Sequence, residues 1–305
     1  GWEDEFAQWM ANDCTICTTL VDTIVPGRIR DPKEAAAVAE RLGYEDPFLA
    51  VREPFQMWGI QGDESLKERL PFVKAGLPGV FVTPDVTPYK KRKVRILNGA
   101  HTAFVPGSWV AGFDIVRDCM HDETVRGFMN TMLYNEVIPT LAADLDVEDC
   151  KAFAAAVENR FDNPFIDHAL LSICLNSTAK WRARDLPTLK DYIAETGNLP
   201  KCLSTSLATL IAFYTQELVA REGDGLHLRR ADGTEYTAQD DAFVLDFYAA
   251  HAGADDAELV HDVLTNEQMW GEDLTQIAGL EEFVVDALAV VRAEGVKQAF
   301  ANAQA

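Results

Sequence analysis

Helical spacing of apolar residues over most of the chain restricts the folds open to this sequence. Between residues 113 and 222 apolar side chains recur every three or four positions, as in Val125, Phe128 and Met132, which is the spacing of one helix face. The same pattern predicts helices over 33–43, 204–219, 239–250, 257–265 and 281–300. A chain of 305 residues that is 48% hydrophobic can bury a large core. We therefore expect a mainly α protein whose apolar stripes pack against one another.

Short β segments are predicted at two places between the helices. Residues 53–61 alternate in polarity and 79–83 form an apolar run, so a small sheet is expected within a β-containing insert at 45–85. Residues 226–237 carry an Asp-Gly pair between two apolar runs, which predicts a hairpin. Pro106 and Gly107 are expected to kink or end the helix that precedes them.

A basic run stands out in this acidic chain. Five cationic residues fall within seven positions, although the net charge is −22: Lys90, Lys91, Arg92, Lys93 and Arg95. Asp85 or Thr87 is suited to cap a helix that begins here. Such runs are often no more than the solvated face of a helix, and that interpretation stays open at this point.

Four polar side chains of this segment share one side of the predicted helix. At about 100° per residue, Lys90, Lys93, Asn98 and His101 fall within an arc of about 140°. An amine, a carboxamide and an imidazole together suit a hydride-transfer reaction that develops charge on one oxygen. Lysine can act as the base when burial and neighbouring cations ease the loss of its proton.

Charge, hydropathy and cysteine usage exclude several classes of protein. A sequence pI of about 4.6 argues against nucleic-acid binding and against binding to anionic membranes. No apolar run approaches the roughly 20 residues that span a bilayer, and no signal peptide is recognisable. A CxxC pair occurs, but no second pair stands at zinc spacing, so no metal site is expected. The cysteines are predicted to be thiols in a reducing cytoplasm: Cys14, Cys17, Cys119, Cys150, Cys174 and Cys202.

The spacing Lys93-x4-Asn98-x2-His101 resembles the catalytic signature of the long-chain mannitol dehydrogenase family. The wider stretch 88–102 is more similar to the branch of that family that reduces tagaturonate. This resemblance implies that Lys93 is the general base, that Asn98 forms an oxyanion hole and that His101 helps to bind and orient the substrate. The segments 53–60, 160–164 and 269–275 also resemble blocks of the family.

The resemblance extends to the substrate. Residues 14–27 look like the family segment beside the nicotinamide, with Thr18 where many members carry an oxyanion-hole Asn. Lys180 matches a lysine that reaches the active site. Lys90 stands where polyol-oxidising members typically carry Glu, and a cation there, with Lys180 or Arg184, would offset the carboxylate of a sugar acid.

For the fold, the resemblance implies a multi-helical C-terminal dehydrogenase domain of the 6-phosphogluconate dehydrogenase type with a small β element. No GxGxxG motif opens a βαβ unit, so the N-terminal Rossmann domain is expected to be absent from this chain. Residues 1–305 are then a single helical domain: a lead-in segment at 1–30, the insert at 45–85 and a helical core at 86–305. NAD would be bound mainly by the absent domain, acting as a separate partner, with Asp22 as the cofactor contact in this chain.

Three functions follow as hypotheses. The first is the catalytic half of an NAD-dependent oxidoreductase that reduces tagaturonate to D-altronate and is inactive without its nucleotide-binding domain. The second keeps the fold but uses fructuronate or a polyol such as mannitol. The third is a helical interaction domain without catalysis.

Overall fold

The computed structural model describes residues 1–29 and 31–305, whose contacts divide the chain into two units, Gly1–Lys91 and Arg92–Ala305. In these residues no helix combines the length and the apolarity that a bilayer crossing requires. Helix α5 (Thr87–Lys93) ends just inside the second unit. Its first turn begins where the sequence predicts a cap, because Asp85 Oδ1 accepts a hydrogen bond from the Thr87 N–H at 2.8 Å.

The first unit combines a three-stranded sheet with short helices. The sheet has the order β1-β2-β3; β1 pairs antiparallel with β2, and β2 pairs parallel with β3. A parallel pair needs a crossover connection, and two short helices supply it. The elements are α1 (Trp2–Asp13), β1 (Thr19–Asp22), α2 (Pro32–Leu42), β2 (Met57–Gln61), α3 (Glu64–Arg69), α4 (Pro71–Lys74) and β3 (Val80–Thr83).

Local sequence explains the first unit. Ile60, Leu66 and Val82 form its buried cluster, so the crossover helix α3 packs on the two parallel strands. Helix α2 confirms the prediction for 33–43: the Asp31 side chain caps its first turn, and Gly43 ends it at φ 81°, in the left-handed region that glycine adopts without a steric penalty.

The second unit is mainly helical. A π-helical segment (Val94–Asn98) joins α5 to α6, and a second one (Met132–Val137) follows α8. The helices and strands of this unit are α6 (Gly99–Val110), α7 (Val116–His121), α8 (Glu123–Thr131), α9 (Val147–Phe161), α10 (Leu170–Ile173), α11 (Ser177–Arg184), α12 (Leu186–Thr196), α13 (Lys201–Tyr214), β4 (Glu217–Glu222), β5 (Gly225–Arg229), β6 (Glu235–Ala238), α14 (Ala242–Ala250), α15 (Asp256–Leu264), α16 (Glu267–Trp270), α17 (Leu280–Glu294) and α18 (Val296–Gln304), with 3₁₀ turns at Pro139–Leu141 and Leu274–Gln276.

Helix α13 is the centre of the second unit. Every residue from Cys202 to Tyr214 is buried, and the helix contacts α6, α17 and α18. Helix α6 is buried from Gly99 to Trp109. Helices α6, α13 and α18 approach closely at Gly107 of α6. A Cβ at this position would lie 2.9 Å from Thr209 Cβ in α13 and 2.8 Å from the Phe300 ring in α18. A side chain at this position would therefore force the helices apart.

Pro106 was predicted to kink or end its helix, and the predicted end is wrong. Helix α6 continues past Pro106 to Val110, because the surrounding helices bury it and outweigh the loss of one backbone hydrogen bond. A second prediction about a helix end is also wrong. The predicted helix over 204–219 stops at Tyr214, and Glu217 begins β4. There the apolar residues belong to an antiparallel sheet of order β4-β5-β6. The hairpin predicted near 226–237 is formed by β5 and β6.

A buried carboxylate caps the central helix. Glu136, 5% exposed, accepts hydrogen bonds from the backbone N–H groups of Cys202 at 2.7 Å and Leu203 at 2.9 Å. Burial raises the pKa of Glu136 from 4.5 to about 7, despite the lowering effect of these two donors. The folded state therefore binds a proton at Glu136 more tightly than the unfolded state does.

We expect this carboxylate to make stability depend on pH. Because the pKa is raised in the folded state, protonation of Glu136 adds to the free energy of unfolding. This contribution is complete below pH 4.5 and is lost as the pH rises through 7. Between pH 5 and 8.5 the free energy of unfolding should fall by about 2.5 kcal/mol. Urea unfolding at both pH values should show this loss in the wild type and not in Glu136→Gln. Glu148→Gln, a change at an exposed residue, is the control. Parallel pH curves for the wild type and Glu136→Gln would contradict the prediction.

Candidate functional site

Between Lys93 and Asn98 the helix is of the π type, in which each backbone hydrogen bond spans five residues instead of four. Lys93 is the N-cap of the π-helical segment, and the Gly99 N–H bonds to the carbonyl of Val94, five residues back. The π geometry shifts the angular positions of Asn98 and His101 from those that an α-helix over this stretch predicts. Lys93 and Asn98 are half-buried, whereas His101 is buried.

Arg184 and Thr102 hold the end of this wide turn. Thr102 Oγ1 donates a hydrogen bond to the Asn98 carbonyl at 2.9 Å. Arg184 Nη1 donates to Thr102 Oγ1 at 3.0 Å and reaches the Asn98 carbonyl at 3.4 Å. The backbone of Asn98 is thereby tied to α11, and at least one nitrogen of Arg184 is bound to protein atoms.

His101 is a buried imidazole among cations. Its ring stacks on Phe161 at 4.0 Å between centroids and meets the edge of the His168 ring at 5.5 Å. Burial, followed by the positive electrostatic influence of His168, Arg184, Arg160 and Lys180, holds the pKa of His101 well below 6.5. The imidazole is therefore neutral near pH 7. Among residues 1–29 and 31–305, His101 Nε2 has no hydrogen-bond partner, although it is buried.

Lys180 faces the same region from α11. It is half-buried, and its Nζ donates to the Ile173 carbonyl at 2.8 Å. Burial, and next the neighbouring Arg184 cation, lower the pKa of Lys180. The two side chains of α11 therefore place two cations near His101, as the family resemblance suggests for Lys180.

The arginines of the basic run bind elsewhere in the second unit. Arg95 donates to Thr188 Oγ1 at 2.6 Å and to Asp191 at 2.9 Å. Arg92 pairs with Asp149, and its guanidinium lies 4.6 Å from the Phe153 ring centroid. These contacts fix the flanks of the π-helical segment to α9 and α12.

Three predicted site residues belong to the first unit. Thr18 is exposed and precedes β1, Asp22 ends β1 and is 1% exposed, and Lys90 is exposed on α5. Their roles toward substrate and cofactor rest on the resemblance alone.

Several residues near His101 were not predicted as site residues. Asp185 is buried beside Arg184, and burial raises its pKa well above 3.8. Arg160 and His168 influence His101 electrostatically, and only the resemblance of 160–164 to a family turn hinted at Arg160. Asp167, the neighbour of His168, bonds to Arg117 at 2.6 Å. This contact engages the Asp167 carboxylate away from His168.

The described part of the chain contains neither a metal-binding cluster nor a disulfide bond. No group of three or more His, Cys, Asp or Glu side chains there is arranged to hold a metal ion. The six cysteines are free thiols, of which four are buried. Around the His101 imidazole, the described residues place the cations of Arg184, Arg160 and Lys180.

Two family models match the chain. The mannitol dehydrogenase C-terminal domain matches residues 85–292, and the mannitol dehydrogenase Rossmann domain matches residues 1–74. The prediction that the Rossmann domain is absent from this chain, and would act as a separate partner, is therefore wrong. Strand β2 and helices α3 and α4 lie in that matched region, and β3, which pairs in parallel with β2, follows it. This region lacks the glycine-rich fingerprint of a dinucleotide-binding turn, so its sequence alone predicts only a small β insert.

Curated relatives are similar along nearly the whole chain. The altronate oxidoreductase of Yersinia enterocolitica is 41% identical over 302 residues, and that of Enterobacter sp. is 42% identical over 301. Each match covers 97% of this chain and 59% of the relative. The chain thus spans somewhat more than half the length of the curated relatives that it matches.

Solved structures share the fold at low sequence identity. Pseudomonas fluorescens mannitol 2-dehydrogenase, solved as a ternary complex with NAD and D-mannitol, superposes with a TM-score of 0.76 at 22% identity, over 98% of this chain and 56% of that one. A substrate-free D-sorbitol dehydrogenase gives a TM-score of 0.75 at 20% identity, over 98% of this chain and 57% of that one. These matches show the fold, and the family models establish that the chain belongs to the mannitol dehydrogenase family of oxidoreductases.

Proposed function

We propose that this chain forms part of an NAD-dependent oxidoreductase that reduces a keto-uronate, with tagaturonate and its product D-altronate as the substrate pair. The similarity to altronate oxidoreductases at about 41% identity supports this choice. The observation that carries it is His101 Nε2, a buried nitrogen without a partner among the described residues, in the positive field of Arg184, Arg160 and Lys180. Such a nitrogen suits a hydroxyl or carbonyl of a bound sugar, and the cations suit its carboxylate.

In the proposed reaction, side chains of this protein donate a proton to the substrate oxygen and stabilise the negative charge that develops on it. Hydride addition to the carbonyl carbon leaves the electron pair of the C=O bond on oxygen. We assign the proton that this oxygen takes to the Lys93 ammonium, which becomes an amine and recovers its proton from solvent. The Asn98 carboxamide donates to the same oxygen, and the neutral His101 orients the sugar.

The substrate carboxylate needs a compensating charge. Lys180 and Arg184 lie in the second unit near His101, and Lys90 is the third cation that the resemblance assigns to binding. A carboxylate that leaves water is stabilised by cations in a partly buried site. A neutral polyol gains no comparable stabilisation, so the arrangement favours a sugar acid.

NAD supplies the hydride when it is bound. The matched Rossmann region and the NAD complex of a structural relative support this cofactor. The first unit fits only part of a nucleotide site: its parallel strands suit one, whereas Asp63, which caps α3 after β2, would repel a pyrophosphate.

The substrate assignment is tested by steady-state reduction of tagaturonate, fructuronate and fructose by the full chain with NADH and with NADPH. The proposal predicts the highest kcat/KM for tagaturonate. A preference for fructuronate or fructose would contradict the proposal and would indicate that the protein has the substrate specificity of another branch of the family. Absence of turnover with every pair would favour a non-catalytic interaction domain.

Reversing the charge at Lys90 should shift substrate preference. Lys90→Glu is expected to lower kcat/KM for tagaturonate by about 10-fold or more, the cost of about 1.4 kcal/mol of lost charge stabilisation. Turnover of fructose should change little, because it carries no carboxylate. Lys91→Glu, one position away in the basic run, is the matched control for net charge. If the ratio of tagaturonate to fructose turnover stays constant in Lys90→Glu, Lys90 does not recognise the carboxylate.

A further inference from the structure

The π-helical segment between Lys93 and Asn98 is fastened at its end by two consecutive residues of one neighbouring segment. Arg184 is the last residue of α11, and Asp185 follows it. Arg184 acts through Thr102, whose hydroxyl donates to the Asn98 carbonyl. A helix turn of i→i+5 type is rare and strained relative to an α-turn, so contacts that favour it are needed for it to persist.

Asp185 approaches the next residue, Gly99. A Cβ built on Gly99 would lie 2.9 Å from Asp185 Oδ1, closer than a real Cβ tolerates. The Asp185 side chain is 2% exposed, and its Oδ2 has no hydrogen-bond partner in residues 1–29 and 31–305. A buried polar atom left in this state is costly. The Asp185 carboxyl group therefore occupies the space beside the Gly99 backbone that a side chain at this position would need.

We propose that Arg184 and Asp185 are positioning residues, which together hold the π-helical turn that sets the separation of Lys93 and Asn98. Arg184 fixes the Asn98 carbonyl through Thr102, and Asp185 fills the space that Gly99 leaves open. The Gly99 N–H then donates to the carbonyls of Val94 and Ile96 rather than to that of Arg95, the α-helical partner. This inference rests on the proposed function for its link to catalysis, but the contacts themselves do not depend on the substrate.

A size-exchange pair tests the contact between Gly99 and Asp185. Gly99→Ala should displace the carboxyl group and disturb the π turn, so that amide hydrogen exchange over residues 94–102 becomes about 10-fold faster or more. Asp185→Ala should also speed exchange over 94–102, because it empties the space beside Gly99. In the double variant Gly99→Ala/Asp185→Ala the added methyl group refills part of that space, so exchange should return toward the wild-type rate. If Asp185→Ala alone fails to fold, the comparison of Gly99→Ala with the double variant still decides the question.

Thr102→Val provides an independent test of the Arg184 contact, because valine has the shape of threonine without its hydroxyl. We expect faster exchange over 94–102 and, in the full chain with tagaturonate and NADH, a kcat lower by about 10- to 100-fold with little change in KM, as displacement of reacting groups produces. Unchanged exchange in both Gly99→Ala and Thr102→Val would overturn the inference. Altered exchange in an enzyme that turns over no member of the substrate panel would support the positioning role and contradict only the proposed function.

Discussion

Replacing Lys93 with methionine should lower kcat for tagaturonate reduction about 1,000-fold, within the range that a general acid contributes. Methionine keeps the length and most of the volume of lysine but can neither give nor accept the proton. Lys93 is half-buried and stands at the N-cap of the π-helical segment, where a methionine side chain can be accommodated. The free energy of unfolding in urea should therefore change by less than about 1 kcal/mol.

Lys91→Met is the matched control for this experiment. It removes one charge from the same basic run, two residues away, and should leave kcat within about 2-fold of the wild type, as expected for a charge outside the reacting groups. If Lys93→Met keeps a tenth or more of the wild-type kcat, Lys93 is not the group that moves the proton.

A second large effect is expected at the turn of the β5–β6 hairpin. Arg230 is 6% exposed, and its guanidinium lies 4.2 Å from the Trp109 ring centroid and donates to the Trp109 carbonyl at 3.0 Å. It also pairs with Asp232 at 3.0 Å. Arg230→Ala removes the cation–π contact, leaves the carbonyl without this donor and opens a cavity. The free energy of unfolding measured in urea should be lower than that of the wild type by about 3 to 4 kcal/mol.

The adjacent arginine is a control of the same type. Arg229 pairs with Glu217 and Glu235, but it is 35% exposed, and exposed pairs contribute about 1 kcal/mol or less. Arg229→Ala should therefore lower the free energy of unfolding far less than Arg230→Ala. Equal losses for the two variants would show that burial against Trp109 does not stabilise the hairpin.

Local signals in the sequence predict much of the fold. Asp31 and Gly43 delimit α2, Asp85 caps α5, and the Asp-Gly pair forms the turn between β5 and β6. Helix ends set by tertiary contacts are less predictable. Pro106 sits inside α6 because the helix is enclosed by its neighbours, and only the assembled core contains that information.

The Rossmann region and the π turn were missed for different reasons. Strands β2 and β3 pair in parallel across a short helical crossover, and without the glycine-rich motif their sequences are typical of any small sheet. The π turn depends on Gly99 lying against Asp185, 86 positions later in the chain. A helical projection at a fixed angle per residue cannot include such a contact.

The sequence alone identifies only some of the residues of the candidate site. Lys93, Asn98 and His101 were chosen by spacing and resemblance, and the structure adds that His101 is buried and neutral. Arg160 and Asp185 could not be chosen, because their importance lies in proximity to His101 and Gly99 rather than in any motif of their own.

Chemical rescue of Lys93→Ala by primary alkylamines tests the central claim most directly. The account predicts that tagaturonate reduction by this variant is very slow, rises in proportion to amine concentration and depends on the pKa of the added amine, since the amine replaces the missing proton donor. Reduction at the wild-type rate without amine, or a slow rate that no amine of suitable size increases, would contradict a proton-transfer role for Lys93.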